Sequence, residues 1–202
     1  MCRKLFTATA LILILALSAP AATWNVDKVH SSVGFSVRHM VIAKVKGQFG
    51  EFEGAVQFDG GNVETGSVEV AVQMASVDTD DEKRDGHLTG PDFFDVEKYP
   101  TMSFKSKKVM DKGKGRFQLT GMLNIRDVIK EVTFDCEFNG TLNDPSGNVR
   151  AGFSAETEIN RQDFNVNWSK TLDGGGLVVG DMVTVMIELE LIKSDEQAPS
   201  GQ

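Results

Sequence analysis

His30, His39 and His87 are the only imidazoles in the chain, and Ser31, Asp85 and Asp163 are the groups around them that could share chemistry. Ser31, His87 and Asp85 would supply the nucleophile, base and orienting carboxylate of a hydrolytic triad, but residue types alone carry no geometry. No Gly-x-Ser-x-Gly turn is present to expose a nucleophile. The plainer reading is that His87 and Asp85 tie a surface segment to the body of the protein by hydrogen bonds. Asp78, Asp80 and Glu82 have the alternation of a calcium loop, yet its sixth position is Lys83 and its twelfth is Thr89, where glycine and glutamate are needed. Gly174-Gly175-Gly176 lacks the following Lys-Ser or Lys-Thr of a phosphate loop, and the histidines lack close ligand spacing. The expectation is therefore no catalytic residue, no metal and no cofactor.

Charge and cysteine content narrow the class further. The formal charge of -8 and the lack of clustered Lys and Arg argue against nucleic acid, whose phosphates demand a basic face. Arg3 and Lys4, the apolar run from Leu11 to Leu17, and Ala19-Pro20-Ala21 read as a secretory signal peptide over residues 1–21, cleaved near Ala21. Without Cys2, only Cys136 remains, so no intramolecular disulfide can form. Cys136 alternates with Val132, Phe134 and Phe138, which makes it an inert core thiol.

The elements that must position these groups are strands. Val33, Phe35 and Val37 alternate with Ser32, Gly34, Ser36 and Arg38; Val68, Val70, Val72 and Met74 alternate with Glu69 and Gln73. Met102 and Phe104 open another strand, Phe117, Leu119, Leu123 and Ile125 share a phase, and Phe134, Phe153, Val185 and Ile187 sit in three more alternating runs. A helical turn is expected at Met40 to Ala43, and one strand is expected to run from Val45 to Phe58 with a bulge near Gly50. The intervals 78–100 and 160–180 do not alternate. The first, ending at Tyr99-Pro100, is expected to form a short helical lid; the second is anchored by Phe164 and Trp168.

About eight one-faced strands with short turns are best satisfied by an all-β fold, a single closed antiparallel barrel over residues 22–193, because closure removes sheet edges. A two-sheet sandwich is the alternative. Residues 194–202 read as a disordered polar tail.

Lys83-Arg84-Asp85-x-His87-Leu88, Asp92-Phe93-Phe94-Asp95-Val96-Glu97-Lys98-Tyr99-Pro100, His30-Ser31-Ser32-Val33-Gly34-Phe35 and Ile159-Asn160-Arg161-x-Asp163-Phe164 closely resemble the YceI-like family, over Trp24 to Lys193. The resemblance implies a lipocalin-like, polyisoprenoid-binding barrel, periplasmic or otherwise secreted, whose apolar pore holds a quinone or polyprenyl phosphate type of lipid. Its expected partner is that lipid, with transient membrane contact and a homodimer also compatible; the alternatives are a ligand-free structural or stress-response protein and an enzyme acting on an amphiphile. The pore-facing candidates are Val33, Phe35, Val37, Val70, Val72, Met74, Phe104, Phe117, Leu119, Phe134, Phe153, Val185 and Ile187, with Phe164 and Trp168 at the mouth. Arg84, His87, Arg161 and Asp163 are the polar candidates there, set against plain Arg84–Asp85 and Arg161–Asp163 pairing. Where members of the family often carry His-Gly, this chain has Arg126-Asp127, which reads as a changed exposed turn.

Overall fold

The computed structural model describes residues 22–59, 62–173 and 175–194; the expected signal peptide, residues 1–21, and residues 195–202 of the expected tail lie outside them. Eleven strands make one antiparallel sheet: β1 (Ala22–Val26), β2 (Ser32–His39), β3 (Ala43–Phe49), β4 (Phe52–Phe58), β5 (Ser67–Gln73), β6 (Val77–Asp78), then a helix α1 (Glu82–Thr89), β7 (Thr101–Gly113), β8 (Arg116–Ile125), β9 (Val128–Asn143), β10 (Val149–Asn160) and β11 (Val179–Lys193). The order β1-β4-β5-β7-β8-β9-β10-β11 returns to β1, so the sheet is a closed eight-stranded barrel. β2, β3 and β6 continue the wall of β1, β4 and β5 past the point where those strands end: β11 pairs with β1 through Leu191, Ile192 and Lys193, and with β2 through Glu188 back to Val179.

Two local expectations fail, each for a backbone reason. Met40–Ala43 is not helical. Met40 and Val41 have φ of 49° and 66°, a tight left-handed turn that joins β2 to β3. The strand expected from Val45 to Phe58 breaks at Gly50, where the chain changes partners: β3 pairs with β2 and β6, whereas β4 pairs with β1 and β5. The alternating run from Val68 also ends one residue early, because Met74 opens a 3-10 turn over Met74–Ser76.

The inward faces carry the apolar residues that the alternation marked. β8 shows the pattern most cleanly, with Phe117, Leu119, Leu123 and Ile125 buried. Gly121 interrupts that row because the Phe104 ring lies across it. A Cβ there would stand 2.4 Å from Phe104 Cζ and 2.5 Å from the Lys105 carbonyl oxygen, so only glycine fits.

The lid is built as its sequence demands. Asp81 caps α1 by accepting from the Arg84 amide, Gly90 ends it, and turns run on to Pro100. Leu88 and Phe94 pack both on Phe49, Val72 and Met74 and on Leu123, Ile125 and Phe164, so this segment spans the barrel from wall to wall.

Candidate ligand-binding cavity

Inside the barrel the side chains enclose a cavity of about 250 Å³. Val33, Phe35, Val37, Val70, Val72, Met74, Phe104, Phe117, Leu119, Phe134, Phe153, Phe164, Val185 and Ile187 all stand on its wall. Trp168 does not. It lies behind the lid with its ring centroid 5.4 Å from both His87 and Phe93. Phe49, Phe52, Phe58, Phe93, Phe94 and Val183 also line the cavity and were not singled out from the sequence. The first three sit beside the break at Gly50 or at a strand end, where the inward phase cannot be read across, and the Phe93-Phe94 pair belongs to a segment without alternation.

One end of the cavity is shut by rings. Phe58, Phe138 and Phe153 meet with centroids 5.1 to 5.4 Å apart, and the Trp24 indole donates to the Phe58 carbonyl at 2.8 Å behind them. The other end lies beneath the lid, where Leu88, Phe93 and Phe94 meet Phe164. Cys136 stands on the wall between Phe117 and Phe134, and burial pushes its thiol up to about 12, which leaves it unreactive as a nucleophile.

The polar candidates occupy the lid end but serve the backbone. Arg161, on the 3-10 turn Arg161–Phe164, is 6% exposed and is the one cation on the cavity wall among the described residues. It pairs with Asp181 at 2.9 Å, not with Asp163, and donates to the carbonyls of Val166, Trp168 and Gly180 at 2.6, 2.8 and 2.9 Å. Desolvation lowers its pKa, with Asp181 pulling the other way. Its donors are thus committed to holding the 161–181 segment and are not offered to a ligand. Asp163 faces solvent and pairs with Lys130 at 3.4 Å.

Arg84 and Asp85 do not pair with each other. Both converge on Thr79: Arg84 donates to its hydroxyl and carbonyl at 2.7 and 2.6 Å, while Asp85 accepts from its amide and hydroxyl. His87 bonds Asp92 at 3.0 Å within the lid, not the barrel, and Ser31 exchanges hydrogen bonds with the backbone of Glu190 on β11. The triad of Ser31, His87 and Asp85 is therefore not assembled.

Arg126 overturns the reading of its turn as exposed. At φ of 56° it folds inward, 15% exposed at its side chain, and donates to the carbonyls of Phe93 and Asn165 at 2.9 and 2.7 Å. Its guanidinium also lies 5.3 Å from the Tyr99 ring centroid and 3.6 Å from Asp95, and Asn165 donates to Asp127 at 3.0 Å. The β8–β9 turn is thus a latch between the lid and the 161–168 segment. No periodicity could announce it, because its contacts join three irregular segments.

A second polar cluster lies where β1 joins the ring. Arg150 donates to Asp27, Asp144 and Glu190 at 2.7, 2.7 and 2.5 Å, and His30 bonds Asp27 at 2.9 Å. The hydrogen bonds from His30 and then Arg150 hold the Asp27 carboxyl well below the usual range, and Asp27 in turn raises the pKa of His30. Asp27, His30 and Glu190 lie close enough to ligate a cation, but Arg150 already supplies the positive charge between the two carboxylates.

An eight-stranded barrel that closes around an apolar, lidded cavity defines a class: single-domain barrels with room for one slender ligand. Within that class, the YceI-like domain family matches residues 24–191, and the chain belongs to it. It is 39% identical to a UPF0312 protein of Vibrio parahaemolyticus over 162 residues, covering 79% of this chain and 86% of that one. Among solved structures it is similar to a YCEI protein of Campylobacter jejuni, with 33% identity and a TM-score of 0.69 over 84% of this chain and 96% of that one. It also resembles BcnA of Burkholderia cenocepacia, with 26% identity and a TM-score of 0.72 over 82% and 98%. A polyisoprenoid binding domain from Saccharophagus degradans, 14% identical with a TM-score of 0.63 over 86% and 99%, shares the fold.

Proposed function

We propose that this chain is a non-enzymatic binding protein for an isoprenoid-chain lipid of the quinone or polyprenyl phosphate type, carrying or storing it in the barrel of an exported, periplasmic protein. The observation that carries the reading is the lidded cavity, walled by apolar side chains from all around the barrel and by one cation whose donors are engaged elsewhere. A site of this kind selects by chain and not by head group. The polyisoprenoid binding of the Saccharophagus degradans domain, which shares the fold, supports the same reading.

Burying a prenyl chain is worth roughly 0.8 kcal/mol per methylene. A cavity of about 250 Å³ has room for only a few isoprene units, so a longer tail has to widen it, and ordering of chain and lid offsets part of the gain. The lid is the natural place for that cost, because Leu88, Phe93 and Phe94 lie between the cavity and solvent.

Native mass spectrometry of the protein purified from its own envelope, followed by organic extraction, tests the proposal. A stoichiometric prenyl-chain mass that is lost on extraction is expected. A bare protein that takes up neither added quinone nor polyprenyl phosphate overturns it.

A further inference from the structure

The β2–β3 hairpin carries an apolar tip that the barrel does not use. Met40, Val41 and Ile42 are 40%, 59% and 88% exposed. The turn demands left-handed backbone at Met40 and Val41, φ of 49° and 66°, a conformation that Asn-Gly supplies without strain and that a β-branched valine adopts at a cost. Three exposed apolar side chains are thus kept where solubility favours polar residues, two of them where backbone geometry favours glycine or asparagine as well.

The charge around the tip differs from that of the rest of the chain. The formal charge is -8, yet from Lys28 to Gly50 the cations Lys28, Arg38, Lys44 and Lys46 occur with no carboxylate. Arg38 stands directly opposite Lys44 across the hairpin and Ser36 opposite Lys46, so these cations share the outer face. Among the described residues none of Arg38, Lys44 and Lys46 has an ion-pair partner; the nearby groove holds Glu158 and Asp181, and Asp181 is taken by Arg161 and Gln162. Lysines on the open edge of β3 would by themselves only guard against edge pairing. An apolar tip beside them does the reverse, because it invites contact.

Position completes the argument. β2 follows β11 past Met182, where β10 stops, to Val179, and the Met40 amide donates to the Val178 carbonyl. The tip therefore projects at the end of the barrel where the lid and the 161–178 segment lie. We infer that this hairpin docks the barrel on an anionic phospholipid surface, with Met40, Val41 and Ile42 entering the headgroup layer and Arg38, Lys44 and Lys46 facing phosphates. The inference rests on the lipid-binding reading in that it turns the lidded end of the cavity towards a membrane.

Vesicle flotation of the chain beginning at Ala22, whose barrel closes within the described residues, tests it. Vesicles containing phosphatidylglycerol should float the protein and vesicles of phosphatidylcholine alone should not, with binding that falls as salt is raised. Ile42→Asp should abolish flotation, and Lys44→Glu or Lys46→Glu should each weaken it by roughly fivefold or more. Failure of the unaltered chain to float, or flotation of Ile42→Asp to the same extent, overturns the inference. So does a dimer in gel filtration that Ile42→Asp splits while no vesicle is bound, because a second copy is then the occupant. None of Arg38, Met40, Val41, Ile42, Lys44 and Lys46 lines the cavity, so lipid recovered by extraction from Ile42→Asp separates loss of docking from failure of the cavity reading.

Discussion

At the scale of single residues, the informative groups are those whose charge is fixed by their neighbours. Asp27 is the clearest, since its depressed pKa makes it a source of stability that depends on pH. A carboxyl lowered on folding stabilises the native state above its unfolded value of about 3.9, and that contribution is lost as pH falls towards the folded value. His30 has the opposite sign: raised on folding, it contributes fully below about 6.5 and less as pH rises through its folded value. Thermal unfolding of the native chain and of Asp27→Asn should therefore differ most between about pH 4 and about pH 6.5 and converge towards acid pH. A difference that persists undiminished from there into acid pH would show that the carboxylate matters only as a hydrogen-bonded shape. The cluster was hidden in the sequence because Asp27 and Glu190 lie far from the Asp144–Arg150 turn in the chain and meet it only when the ring closes. By contrast, the inward residues of β8 were legible one by one, since a period of two needs no knowledge of partners.

At the scale of elements, strands could be read from the sequence and joints could not. The break at Gly50 and the 3-10 turn after Gln73 let one sheet change its pairing partners; the first shows in the sequence only as the phase change of a bulge, and alternation conceals the second. The lid was recognisable through its lost alternation and its proline, but its fastening was not, because Arg126 looked like the solvent side of a turn. Arg126→Met keeps the stem against Tyr99 and removes the donors to Phe93 and Asn165. A hydrogen bond from a charged donor is worth about 1.5–3 kcal/mol, so losing the one to Phe93 should make lid opening easier by about that much. Amide hydrogen exchange over residues 88–99 should then speed up while the β8 and β9 amides keep their protection. Unchanged exchange in the lid would mean that its apolar contacts, not the latch, hold it shut.

At the scale of the whole molecule, the question is whether the middle of the barrel is a site or merely a core, and substitution by a larger residue can decide it. A core at native density resists added volume, and extra methylenes cost about 1–3 kcal/mol through forced side-chain and backbone shifts. A cavity of about 250 Å³ accepts them. Ala155 is the right place to ask, because it lines the cavity from β10, stands opposite Cys136 on β9 and Ile187 on β11, and is small among larger neighbours. Ala155→Phe should leave the melting temperature of lipid-free protein unchanged or raised, since new apolar surface is buried without displacing old. The same ring should abolish uptake of quinone or polyprenyl phosphate, and with it the rise in melting temperature that a ligand confined to the native state must produce. Lost stability without lost uptake would place the lipid outside the barrel and return the interior to ordinary packing. Retained stability with lost uptake would make the enclosed space, and the ring of strands that maintains it, the functional part of the fold.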